Sequence, residues 1–93
     1  MSSTEAKPNV DTTSRHDEED HLVLMLYDDD YNTFDHVIST LIKVCKHHAE
    51  QAEQVAIIVH TKGKCDVQHG PKSKLQKQLR QLLDAGLTAK IEE

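Results

Sequence analysis

The stretch His21-Leu-Val-Leu-Met-Leu-Tyr-Asp-Asp-Asp-Tyr-Asn-Thr-Phe34 decides the fold class. Its first seven residues are an apolar run of strand length and read as a buried or central strand. Asp28, Asp29 and Asp30 interrupt the run. Asn32 or Thr33 then caps a helix, with Asp35 in the first turn to suit the helix dipole. Val37, Ile38, Leu41, Ile42 and Cys45 fall on one face of that helix. His47-His48 marks a break. Ala49 to His60 reads as a second helix, with Ala52, Val55, Ala56 and Val59 on one face and Gly63 as terminator. Ile57-Ile58-Val59 alone would also suit a strand, but the alanines and the charge order favour helix.

Downstream the signals continue. Lys64 to Gln68 alternates weakly, as a short strand does. Gly70-Pro71 is a turn whose proline opens a helix. Leu75, Leu79, Leu82 and Leu83 fit one helical face, and Gly86 closes it. Leu87 to Ile91 is a terminal strand. The order β-α-α-β-α-β predicts a small α+β domain, with helices packed on one face of a three-stranded antiparallel sheet.

Upstream, residues 1–20 are rich in Ser, Thr, Asp and Glu, contain Pro8 and show no periodicity. They read as a disordered N-terminal extension, leaving residues 21–93 as the folded domain. Six acids face two bases in residues 1–21, whereas ten face nine in residues 22–93. The acidity is therefore mostly a property of the extension.

Ninety-three residues allow a single domain, and 37% hydrophobic content with 3% aromatics limits its core. A shallow cleft is expected, not a large enclosed active site. No apolar run is long enough to cross a membrane, and the N-terminus lacks a signal-peptide pattern. Cys45 and Cys65 have no CxxC partner, which suits reduced thiols in a cytosol-like compartment. A formal net charge of -5 argues against general nucleic-acid binding.

All three aromatics, Tyr27, Tyr31 and Phe34, lie in the eight residues that also hold the three aspartates. Adjacent carboxylates repel one another and fit a site that receives a cation. A bound amine would gain charge-assisted hydrogen bonds there. The alternative is a polar loop whose aromatics pack inward. Calcium-loop spacing is absent, since no Gly or closing Glu follows at the required offsets. His60 stands at the end of the second helix, either beside terminal carbonyls or at the rim of a site. Cys45, His47, His48, Cys65 and His69 lack finger-like spacing, so no metal site is expected, and the histidines read as solvated. Lys62 and Lys64 are basic neighbours of Cys65 and would lower its pKa. No nucleotide-binding or hydrolase motif occurs, and no catalytic residue or cofactor is assigned. Lys62, Lys64, Lys72, Lys74, Lys77 and Arg80 form a basic stretch, either a solvated face or a dock for an acidic protein.

Leu24-Met-Leu-Tyr-Asp-Asp-Asp-Tyr-Asn-Thr-Phe-Asp-His-Val37 resembles the ClpS motif, an apolar strand followed by a pattern like N-D-D-Y-T-P-M-x-x-V. Ala52-Glu-Gln-Val-Ala-Ile-Ile-Val-His-Thr-Lys-Gly-Lys64 resembles that family's A-x-x-(apolar)-V-H-x-x-G-K segment. The two occur in order at family-like separation, and the resemblance spans about residues 22–91.

The resemblance implies an adaptor, not an enzyme. Such proteins bind the destabilising N-terminal residue of a substrate, the N-degron. They deliver it to a Clp AAA+ unfoldase, ClpA- or ClpC-like, and its peptidase. Residues 1–20 would be the extension that aids delivery. Asp28, Asp29 and His60 match the positions that hold the substrate's α-amino group. Phe34, Val37, Ala56, Val59 and Leu87 match the hydrophobic pocket. Asp30 and Asn32 match loop positions that shape the site, Asn32 as helix cap. The implied location is the cytoplasm, in a bacterial cytosol or a plastid stroma. The expected form is a monomer with neither nucleic acid nor membrane as partner.

This sequence also departs from the pattern. Asp28 stands for the family's Asn and Thr33 for its Pro. Phe34 replaces the gating Met and narrows the mouth. Ala56 replaces a larger apolar residue and deepens the floor. The Cys65–Leu87 region is several residues shorter, which bears on the last helix and any unfoldase-docking surface there. The alternative is a ClpS-fold interaction module without the pocket, like the C-terminal domain of the ribosomal stalk protein.

Overall fold

The computed structural model describes residues 22–93; the extension 1–20 and His21 lie outside the described residues. Six elements follow in the expected order. They are β1 (Leu22–Tyr27), α1 (Phe34–Cys45), α2 (Ala49–Lys62), β2 (Lys64–Gly70), α3 (Lys72–Asp84) and β3 (Thr88–Glu92). β1 is the central strand and pairs antiparallel with β2 on one side and β3 on the other. Its apolar run serves two faces. Leu24 and Leu26 are buried under the helices, whereas Val23, Met25 and Tyr27 are only half-buried. Tyr27 lies between the Lys64 and Lys90 ammonium groups, 6.0 and 5.6 Å from its ring centre, and donates a hydrogen bond to Glu92.

α3 packs on all three strands, α2 on β2, and α1 on α2 and α3. The core joins Leu24, Leu26, Val67 and Ala89 from the sheet to Leu41, Val55, Val59, Leu75 and Leu82 from the helices. Leu83 departs from the expected apolar face and is 49% exposed. At 100° per residue it is turned away from the Leu75–Leu82 stripe. β3 begins at Thr88, one residue later than expected, because Leu87 turns into the core.

Register shifts between β1 and β2 at Leu24/Met25, so Val67 is the extra residue of a bulge. Its carbonyl accepts the Nε2–H of His47 at 2.9 Å. His47 is therefore buried, 8% exposed, not solvated as its composition implied. The bulge offers an acceptor, and the αL turn at Lys46 (φ 59°) swings His47 towards it.

The basic stretch does not form one patch. Lys64 sits on the open sheet face over Tyr27, while Lys72, Lys74, Lys77 and Arg80 are exposed on α3. No helix among the described residues is long and apolar enough to cross a membrane.

Candidate functional site

The site is assembled where the β1–α1 loop meets the end of α2. Gly63 caps α2 in the left-handed region (φ 95°), and its N–H bonds to the Val59 carbonyl at 2.9 Å. Such a φ suits glycine because an L side chain strains the residue's own backbone in that region. The Gly63 carbonyl then accepts the Asp28 N–H at 2.9 Å. This bond brings the first aspartate to the last turn of the helix that carries His60.

Asp29 organises the loop. One carboxylate oxygen accepts the N–H groups of Tyr31 and Asn32, both at 2.9 Å. The other accepts the Asn32 amide at 2.8 Å and the Thr88 hydroxyl at 3.4 Å. Burial pushes the Asp29 carboxyl up, but the bonds from Asn32, Tyr31 and Thr88 together outweigh it and hold it below the usual carboxylate value. Asn32 does not cap α1. Thr33 does, its Oγ1 accepting the His36 N–H at 3.1 Å. The Asn32 amide is engaged elsewhere: it also donates to the Gly86 carbonyl at 2.8 Å, tying the loop to the α3–β3 turn.

These ties frame a cavity of about 350 Å³ lined by Asp28, Asp29, Asp30, Asn32, Phe34, Val37, Ala56, Val59 and His60. Every site residue named from the sequence lies on it except Leu87. Leu87 is buried in the core and borders a small adjoining void of about 20 Å³ that shares Asp28, Asp29, Asn32, Val37 and Val59 with the cavity. The cavity has two chemical ends. Asp28, Asp30 and His60 are exposed and polar; Ala56 and Val59 are buried and apolar. Phe34 is half exposed. Tyr31, at 93% exposure, does not pack inward.

The supporting groups at Gly63, Gly86 and Thr88 were not legible as site parts. Both glycines carried a signal, but only as helix terminators. A larger groove of about 570 Å³ between α1 and α3 is less suited to a ligand, since several of its polar groups are used internally. Ser39 and Thr40 donate to the His36 carbonyl, and His36 Nε2–H donates to the Ala85 carbonyl.

Neither thiol is activated. Burial raises Cys45 to about 11 despite the nearby Lys74. Burial and then the Asp66 charge raise Cys65, so Lys62 and Lys64 do not lower it as expected. Among the described residues no three His, Cys, Asp or Glu side chains converge as a metal cage.

No curated protein sequence matches this chain. Among solved structures it resembles Agrobacterium tumefaciens ClpS2 bound to L-phenylalaninamide, at 20% identity and a TM-score of 0.76. The match covers 80% of this chain and 96% of that one. At that identity the likeness speaks for the fold. The family model described as ATP-dependent Clp protease adaptor protein ClpS matches residues 17–90. That span takes in β1 through α3, the first residues of β3 and both motifs at the cavity, and by it the chain belongs to the ClpS family.

Proposed function

We propose that this protein is an N-degron adaptor: it captures the N-terminal residue of a substrate protein and passes the substrate to a Clp AAA+ unfoldase, ClpA- or ClpC-like, and its peptidase. The observation that carries this reading is one cavity with carboxylates and an imidazole at one end and an apolar floor at the other. An N-terminal residue has the matching chemistry, an ammonium beside a side chain. The molecule bound to ClpS2, L-phenylalaninamide, has that form: a free α-amine, an aromatic side chain and an amide in place of the next peptide bond.

Asp28, Asp29 and His60 form the amine end. The Asp28 carboxylate and the His60 imidazole accept no hydrogen bond from other described residues, which supports a role for both in taking the ammonium directly. Asp29 has its acceptor positions filled by Tyr31, Asn32 and Thr88, so it acts by its charge and by holding its neighbours in place. Asp30 adds a carboxylate at the same rim. Phe34, Val37, Ala56 and Val59 receive the side chain, with Leu87 supporting them from the core. Asn32 fixes the loop. The protein acts without a catalytic step of its own, as a monomer in the cytoplasm of a bacterium or in a plastid stroma.

Burying a Leu or Phe side chain contributes about 1.5–3 kcal/mol. Each hydrogen bond to a charged group adds about 1.5–3 kcal/mol. Two such bonds and the side chain together give about 4.5–9 kcal/mol gross, and a micromolar complex needs about 8 kcal/mol net of ordering costs. Reversible capture of that strength suits a carrier that must release its cargo.

Fluorescence polarisation with a ten-residue peptide that begins with Phe tests the proposal. Saturable binding is expected, lost when the amine is acetylated. His60→Ala and Asp28→Ala should each weaken it by about tenfold, the equivalent of one charged hydrogen bond. Equal binding of the acetylated peptide, or no binding at all, would point instead to a ClpS-fold module without a working pocket.

A further inference from the structure

We propose that Ala56 sets the size of the first residue that the cavity accepts, and that its bare methyl makes the site select aromatic over aliphatic N-terminal side chains. The inference rests on the receptor function proposed above. Ala56 is only 3% exposed, yet it lines the cavity. Among the described residues it is the one buried apolar side chain that stands outside the contiguous core. Ala52, Val55 and Val59, on the same helix, all belong to that core. The Ala56 methyl therefore borders the cavity, and a longer side chain there grows into the cavity and not into the core.

The rest of the apolar wall is larger. Val59 is buried beside Ala56, Val37 is half-buried, and the Phe34 ring stands half exposed. Ala56 thus carries the smallest side chain of the apolar wall. A branched aliphatic side chain leaves space against that methyl, and unfilled space forfeits dispersion contacts outright. A flat ring reaches further and offers more apolar area, with the Phe34 ring available for an edge or offset contact. At about 350 Å³ the cavity is near the small end for ligand sites, so one side chain in its wall changes the fit of its occupant.

The test compares peptides beginning with Phe and with Leu, identical thereafter, each beside its acetylated control, on the full chain. The protein should bind the Phe peptide more tightly. Ala56→Leu should weaken the Phe peptide about tenfold or more and the Leu peptide by about threefold at most, as expected for added methylenes in an apolar pocket. Ala56→Val, a smaller increment, should move the ratio the same way and less far. Thermal melts should match the parent protein, because the added atoms lie outside the core. An unchanged Phe-to-Leu ratio in both variants would overturn the inference, as would a parent protein that binds Leu as tightly as Phe. Those two results leave the receptor function standing. A parent protein that binds neither peptide, or binds the acetylated forms equally, overturns the receptor function and this inference with it.

Discussion

Asp29 accepts hydrogen bonds on both carboxylate oxygens, from Tyr31, Asn32 and Thr88, while Asp28 and Asp30 accept none from other described residues. Three consecutive identical residues therefore have unlike tasks, set by which way the loop turns each one. Removing the Asp29 charge should cost stability as well as binding. In Asp29→Asn, a side-chain NH₂ would face the Asn32 amide and leave donors unmatched, at about 1–3 kcal/mol. The carboxyl is held below its ordinary value in the folded state, so its contribution is present above about pH 3.9. It is lost as pH falls through the lower folded value. Thermal melts between neutral and acid pH should show the parent protein losing stability in that acid range and Asp29→Asn losing less. Parallel curves for the two proteins would remove Asp29 from this role.

The end of α2 joins helix stability to site geometry. Gly63 adopts φ 95°, and a Cβ added there would meet nothing within 4 Å. The cost of Gly63→Ala is therefore backbone strain alone, about 1–2 kcal/mol for an L-residue in the left-handed region. The same residue holds Asp28 through its carbonyl. The expected outcome is a melting temperature lower by several degrees together with weaker peptide binding, read by calorimetry and polarisation on one sample. A variant as stable as the parent would show that the cap tolerates a side chain. The α1–α2 corner follows a similar pattern, since the Lys46 turn delivers His47 to a carbonyl that only the β2 bulge exposes.

For the whole molecule, the described domain is close to charge balance, with ten acids and nine bases in residues 22–93. Three of those acids crowd one cavity, so its field is local. Screening lengths shrink from about 10 Å at 0.1 M salt to about 3 Å at 1 M. Binding of a free-amine peptide should weaken several-fold as salt rises across that range, while the apolar contribution persists. Salt-independent affinity would show that the carboxylates do not face the ligand's charge.

Much of this protein follows from local rules. The apolar run at Leu22–Tyr27, the capping threonine, and the glycines at 63 and 86 place strand, helix and turn because propensity and periodicity act over a few residues. The two motifs also mark Asp28, Phe34, Val37, Ala56, Val59 and His60 as one group. What only the tertiary structure decided involves partners distant in the chain. Asn32 leaves the cap for Gly86, 54 residues away; His47 is buried against Val67; Leu87 withdraws into the core. Asp29 closes its loop partly on Thr88. A polar group takes whichever acceptor the packed chain brings within about 3 Å, and local spacing carries no record of that choice.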